Sequence, residues 1–230
     1  MYSGKTMNDV LNNITKLCIT NNDALSLDEA RNIVYNVYTF YPTKKPLYKK
    51  FNSVYPIAKM PVEYLHNPSI AMASIEYVPI NLKYFDQSVK NIFEVIKFAI
   101  SRLAYTITFA SDEIKNNRSY IIDLIKINPR ILKYLTKEGY AYNTDLEIIN
   151  IIITINPINI KYTPYYIKNN YDLIYNLIIN KKCLMVYKYA TNTIKENPLL
   201  LNYVLNSDKQ MAQFTTSKMK KILGYKNPYL

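Results

Sequence analysis

The chain of 230 residues has one histidine, two cysteines, three glycines and no tryptophan. Each scarcity excludes a class of chemistry. With His66 alone, no histidine-built metal site is available and there is little prospect of a Ser-His or Cys-His pair. His66 lies in "EYLHNPS" and reads as a helix-end or surface residue. Glycine at positions 4, 139 and 224 leaves no Gly-rich loop to cradle a phosphate. Cys18 and Cys183 are far apart in sequence and form no CxxC, so they read as core thiols in a reducing compartment. The most apolar run, "IINIIITI", spans Ile148 to Ile155 and contains Asn150 and Thr154. A membrane span needs ~20 apolar residues, so a buried helix is expected there and no membrane span. The opening "MYSGKTMNDV" lacks the apolar core of a secretory signal, and none is expected. Asp112-Glu113 precede a helical stretch, where dipole and solvation account for paired carboxylates. The expectation is a non-enzyme with no catalytic residue, no cofactor and no metal.

What is abundant is Ile, Asn, Lys and Tyr, with 24 tyrosines. These residues share A/T-rich codons, so part of the skew reflects the genome. Hydrophobic residues make up 49% of the chain, enough for a sizeable core. The net charge of +12 permits attraction to nucleic acid or to an acidic surface.

The chain repeats itself. "IKNN" at Ile114–Asn117 returns at Ile167–Asn170 and as "IKEN" at Ile194–Asn197, and "INP" occurs at Ile127–Pro129 and Ile155–Pro157. A four-residue apolar helical face recurs at Val95-Ile96-Ala99-Ile100, Ile148-Ile149-Ile152-Ile153, Leu173-Ile174-Leu177-Ile178 and Leu199-Leu200-Tyr203-Val204. A copy at Ile121-Ile122-Ile125 has Lys126 in the fourth place. Read this way, successive copies lie 26, 27, 25 and 26 residues apart. A second column is Lys83-Tyr84, Lys133-Tyr134, Lys161-Tyr162 and Lys188-Tyr189, with Thr108-Phe109 in the gap. A third holds Lys90, Lys115, Lys168 and Lys195.

Each unit reads as two helices. The first carries the apolar face, as in Ser119–Ile127, with Asn117 as its cap. Thr144 is the expected cap before Asp145. The first helix stops near Asn128-Pro129 or Asn156-Pro157, because the residue before proline is pushed out of the helical region. The shorter second helix, Pro129–Leu135, carries the Lys-Tyr pair, and "SDEIKNN" reads as the turn into the next unit. One hairpin cannot bury its apolar face alone, whereas stacked neighbours share a core. The expected fold class is therefore all-α: tandem helical hairpins of about 26 residues, stacked as an α-solenoid.

Three regions are expected. Residues 1–80 form a small helical N-terminal region with a Pro/Lys-rich linker, residues 81–206 the repeat domain of about five units, and residues 207–230 a basic C-terminal tail or cap. In the first, Val10, Leu11, Ile14, Leu17 and Cys18 give an amphipathic helix. Ser26-Leu27-Asp28-Glu29 is a capping box opening a helix with Ala30, Ile33, Val34 and Val37 inward, ended by Pro42. A short helix is expected around Leu47–Phe51, and "NPSIAMASIEYVP" reads as a degenerate first repeat. Leu223-Gly224 reads as a helix stop.

"LKYFDQSVKN" at Leu82–Asn91, "ITFASDEIKNNRSYIIDLI" at Ile107–Ile125 and "YKYATNTIKENPLLLNYVL" at Tyr187–Leu205 resemble a short helical repeat. It belongs to a domain family of unknown function found in giant DNA viruses, some intracellular bacteria and protists. The chain departs from that pattern at Gly139–Asn143, where "GYAYN" replaces the "IKNN" element. The resemblance implies a helical fold and a large-DNA-virus origin, and so a host cytoplasm or virion setting. It transfers no site residue.

Two function classes remain. The first is a structural or protein–protein interaction protein. The second is a nucleic-acid or polyanion binder. Its candidate contacts are Lys83, Lys133, Lys161 and Lys188 in one ladder, Lys90, Lys115, Lys168 and Lys195 in another, and Lys44, Lys45, Lys49 and Lys50 in the Pro/Lys-rich segment. Tyr84, Tyr134, Tyr162 and Tyr189 are either base-stacking platforms or core residues with a wet tip. Stacked units at helix-packing distance would space each ladder by about 10 Å. The discriminating observation is whether the first ladder is exposed without interleaved acids.

Overall fold

A computed structural model describes residues 25–40 and 56–224. Among these residues every regular element is helical and no strand occurs, so the described part of the chain is all-α. The chain falls into two compact units, Met1–Ile131 and Leu132–Leu230.

The first unit opens on the helix Leu27–Phe40. Its capping box closes in both directions. Ser26 N donates to Glu29 Oε2 at 2.9 Å, and Glu29 N donates to Ser26 Oγ at 3.3 Å. These bonds hold the Glu29 carboxyl below its usual range. Ala30, Ile33, Val34 and Val37 are buried as their spacing requires. This helix packs on the helix Pro68–Tyr77. Arg31 Nε and an Nη donate to the two oxygens of Glu76 at 2.9 and 3.0 Å, a fork across the helix pair.

From Asn67 onward a local pattern recurs. A ten-residue α-helix is followed by a six-residue 3-10 helix and then a single α-turn. The long helices Pro68–Tyr77, Phe93–Arg102 and Arg118–Ile127 belong to the first unit, and each packs against the next. Leu146–Ile155 and Pro198–Ser207 belong to the second. Each ends in extended backbone before the next segment, as at Asn128 (φ −146°, ψ 92°) and Asn156 (φ −157°, ψ 120°). The 3-10 segments are Pro79–Tyr84 and Ala104–Phe109 in the first unit, and Pro157–Tyr162, Leu184–Tyr189 and Lys209–Phe214 in the second. Three residues per turn eclipse side chains three apart. Leu82 and Phe85, Ile107 and Ala110, Ile160 and Thr163, and Tyr187 and Ala190 therefore all face inward and are buried.

The structure revises four local expectations. The "SDEIKNN" stretch is a helical turn, Asp112–Asn116, capped by Ser111 Oγ accepting from Ile114 N at 3.2 Å. Short residues that bond their own backbone favour caps over plain turns. The second helix of that unit is Ile131–Lys137, two residues later than expected. The cap of Leu146–Ile155 is Asp145, whose Oδ1 accepts from Glu147 N and Ile148 N; the Thr144 hydroxyl instead donates to Ala141 O. Two apolar faces are shifted by one residue. Ile121, Leu124 and Ile125 are buried while Ile122 is half-buried, and Leu200, Leu201 and Val204 are buried while Leu199 is 76% exposed.

With those faces corrected, the copies lie 25, 28, 25 and 27 residues apart rather than evenly. Both long intervals have visible causes. The longer second helix Ile131–Lys137 and the Gly139 turn at φ 96° take up the first insertion, with the 3-10 turn Ala141–Thr144 standing where other copies have their single α-turn. The π-helix Asn176–Asn180 and Lys182 at φ 53° take up the second. A π-turn is the usual way an inserted residue is housed without breaking a helix.

The degenerate first repeat is helical, with Asn67 Oδ1 accepting from Ser69 N and Ile70 N. The final helix Ser217–Ile222 stops at Leu223-Gly224, with Gly224 at φ 61°. The helix placed on Val10–Cys18, the stop at Pro42 expected for the helix that Ser26 opens, the short helix at Leu47–Phe51 and Cys18 lie outside the described residues.

Candidate partner-binding edge

The two lysine columns occupy different environments, and the 3-10 helix explains why. Its inward face is taken by the eclipsed apolar pair, so the two residues between them point outward. In three copies these are the Lys-Tyr pairs of Lys83, Lys161 and Lys188, whereas Lys133-Tyr134 stand between buried Leu132 and Leu135 on the α-helix Ile131–Lys137. Each lysine lies over the ring that follows it. Nζ is 4.5 Å from the Tyr84 centroid for Lys83, 5.7 Å from Tyr134 for Lys133, 4.9 Å from Tyr162 for Lys161 and 5.7 Å from Tyr189 for Lys188. Such cation–π contacts contribute about 0.5–1 kcal/mol at exposed sites. Lys83, Lys133 and Lys188 are exposed and Lys161 is half-buried, while all four tyrosines are half-buried. In the second unit the segments Pro157–Tyr162, Leu184–Tyr189 and Lys209–Phe214 pack in succession. Lys188 accordingly also sits 5.0 Å from the Phe214 ring of the next segment. Among the described residues, Lys133, Lys161 and Lys188 have no carboxylate within salt-bridge reach.

The other column turns inward. Lys90 Nζ donates to the Lys83 carbonyl at 2.9 Å, Lys115 to Thr108 at 3.0 Å, Lys168 to Lys161 at 3.0 Å and Lys195 to Lys188 at 2.9 Å. In every case the acceptor lies seven residues earlier, near the end of the 3-10 segment. Carbonyls at a helix C-terminus have no partner within the helix and carry partial negative charge. An ammonium answers both deficits. Lys115 is only 7% exposed and the other three are half-buried. Burial lowers the pKa of Lys90 and Lys168, and that of Lys195 with help from the Lys220 charge. The position matching this column in the remaining copy is Tyr140, where the Gly139 turn closes the helix instead, with Tyr140 N donating to Leu135 O.

The columns are therefore not two parallel ladders. In three copies the inner lysine is bonded to the backbone of the outer one. Lys44, Lys45, Lys49 and Lys50 lie outside the described residues.

A third recurrent feature escaped the sequence reading. The residue after Lys90, Lys168 and Lys195 bonds the capping residue of the next copy. Ser111 Oγ donates to Asn91 Oδ1, Thr191 Oγ1 to Asn169 Oδ1 at 2.6 Å, and Thr216 Oγ1 to Glu196 Oε1 at 2.9 Å. His66 Nδ1 and Asp86 Oδ1, 3.5 Å apart, are the counterpart at the start of the series. Backbone bonds run beside these rungs: Asp86 N to Leu65 O, Ser111 N to Lys90 O and Thr191 N to Lys168 O. The sequence carried the signal as Asp86, Ser111, Thr191 and Thr216, each three residues before an apolar-Lys pair, with Pro164 in that place before Ile167-Lys168.

Among the described residues no group of three or more His, Cys, Asp or Glu is placed to hold a metal, and no helix is long and apolar enough to cross a membrane. Residues 92–138 match a family described as a domain of unknown function, DUF4116. No curated protein and no solved structure matches the chain.

Proposed function

We propose that this chain is a non-enzymatic interaction protein, built as an α-solenoid of helical modules, whose outer Lys-Tyr edge docks an acidic surface of a protein partner. The viral setting implied by the family resemblance is part of the proposal and rests on that resemblance. The observation that carries the reading is the outer row in the second unit. Lys133, Lys161 and Lys188 are positive groups set on aromatic rings, with no carboxylate among the described residues in salt-bridge reach.

Two features favour a protein over nucleic acid. The tyrosine faces are covered by their own lysines, so they are not open platforms for bases. The inner lysines give their ammonium groups to internal carbonyls, which leaves at most one lysine of the two columns facing outward per module and none where Thr108 holds the place. At a module spacing of about 10 Å, that row is sparse beside a duplex carrying one charge per ~1.7 Å of axis. It suits carboxylates on a polypeptide better than the denser phosphates of a duplex.

The test is affinity capture with tagged wild-type protein and with the K133A/K161A/K188A variant, with and without nuclease. Protein partners retained by the wild type after nuclease and lost by the variant support the reading. Retention that disappears with nuclease transfers the edge to nucleic-acid binding. A partner kept equally by the variant removes the edge from the interaction.

A further inference from the structure

The inner lysines were candidates for contact with a partner, yet their geometry gives them another task. Lys168 Nζ is 3.0 Å from the Lys161 carbonyl oxygen, and Lys195 Nζ is 2.9 Å from that of Lys188. Both acceptors belong to the residues whose own side chains form the outer row. Lys168 is also held at its other end, because its carbonyl accepts from Thr191 N of the next copy at 3.3 Å. The Lys195 carbonyl accepts from the buried Tyr187 hydroxyl at 2.9 Å. Each inner lysine thus runs from a fixed backbone point to the end of the neighbouring 3-10 segment.

A 3-10 turn has poorer hydrogen-bond geometry than an α-turn and is seldom kept beyond a few residues without help. Here it must also place a lysine over its own tyrosine. We infer that Lys168 and Lys195 are positioning residues that staple the 3-10 turns Pro157–Tyr162 and Leu184–Tyr189, so that Lys161 and Lys188 stand preformed on their tyrosines for an acidic partner. The inner pair supplies order to the edge and no charge to the contact. Preorganisation of this kind raises affinity by removing the cost of ordering a side chain on binding. The inference rests on the partner reading for its last step only; the staple itself is independent of it.

The test compares K168M/K195M with K161M/K188M. Methionine keeps the unbranched stem and removes the ammonium. Amide exchange is measured first, in the absence of any ligand. K168M/K195M is expected to speed exchange about tenfold at the amides that close the two turns, Thr163 and Ala190, while the helix Pro198–Ser207 keeps its protection. K161M/K188M should leave those amides unchanged. Each protein is then titrated with poly-L-glutamate over a salt series. The salt dependence counts ammonium groups that release counterions on contact. K161M/K188M is expected to weaken binding and flatten the salt slope. K168M/K195M is expected to weaken binding about fivefold, one to two cation–π contacts' worth, with the slope unchanged. A slope flattened by K168M/K195M would make the inner lysines contact residues and overturn the inference. So would unchanged exchange at Thr163 and Ala190. Failure of the wild type to bind poly-L-glutamate would remove the acidic-partner reading, and the exchange result alone would then decide the staple.

Discussion

Removing the Ser111 hydroxyl breaks two bonds at once, and the structure allows the loss to be apportioned. Ser111 Oγ accepts from Ile114 N at 3.2 Å, capping Asp112–Asn116, and donates to Asn91 Oδ1 of the preceding copy. Loss of a cap costs about 1 kcal/mol, and loss of a neutral hydrogen bond about 1 kcal/mol. Ser111→Ala is therefore expected to destabilise by about 2 kcal/mol. Asn91→Ala breaks the shared bond and the one from Asn91 Nδ2 to Glu113 Oε2. Because Asn91 is exposed, water could replace its partners and reduce the coupling to nothing. Ser111, however, is only 8% exposed, so its hydroxyl has little access to water, and the rung is expected to survive as a coupling of about 0.5–1.5 kcal/mol. The second unit supplies an internal control. Thr191 Oγ1 donates to Asn169 but makes no cap bond, so Thr191→Ala should cost about 1 kcal/mol, half the Ser111 effect. Urea unfolding followed by far-UV circular dichroism measures all of these. A Ser111/Asn91 coupling below about 0.3 kcal/mol, the scatter of independent sites, would show that the rungs between copies do not hold the fold together.

Asp145→Ala is expected to cost about 1 kcal/mol, and Thr144→Ala only a few tenths, since Asp145 makes both cap bonds of Leu146–Ile155; equal losses in urea titrations would contradict the cap assignment. Gly139→Ala is expected to cost about 1 kcal/mol or more in the same assay, because φ 96° suits only glycine although no atom lies within 4 Å of the added methyl. Burial, with the Glu196 charge second, pushes the Tyr187 hydroxyl up to about 12 from a usual 10. The folded state then holds a proton that the unfolded chain has released, so this contribution is intact below pH 10 and lost as the pH rises through about 12. Tyr187→Phe is expected to lower stability at neutral pH and to flatten the alkaline fall in melting temperature; a parallel fall in both proteins would refute the assignment.

The fold was legible where side-chain type alone decides local structure. Asn117 caps as a short polar residue does, and the paired isoleucines of Ile148–Ile153 face the core because Glu147, Asn150 and Thr154 mark the opposite side for solvent. The sequence was misread where apolar residues run on. "SYIIDLI" and "PLLLNYVL" each offer two faces one residue apart, and periodicity is blind to which one a neighbour covers. An assumed even period then chose the wrong face in both. The correct choice depends on how the Gly139 turn and the π-turn at Asn176–Asn180 absorb extra residues. Those are backbone adjustments that side-chain patterns do not announce. The 3-10 segments were missed for a related reason: eclipsed apolar pairs such as Leu82 and Phe85 fit an α-helix of one turn nearly as well.

The lysines show a different limit. The two columns were visible, and position alone could not separate an ammonium that meets solvent from one that meets a carbonyl. The distinction lies in chain direction. A lysine seven residues beyond the 3-10 pair lies one helical turn after a cap, and the chain has by then folded back beside the 3-10 terminus. A long flexible stem reaches that terminus, and the free carbonyl there is a better partner for a half-buried ammonium than a half-dry surface is. Charge counted from composition therefore overstates the charge offered to a partner. Of each Lys–Lys pair, one amine completes the module's own backbone and the other stays outward on its tyrosine.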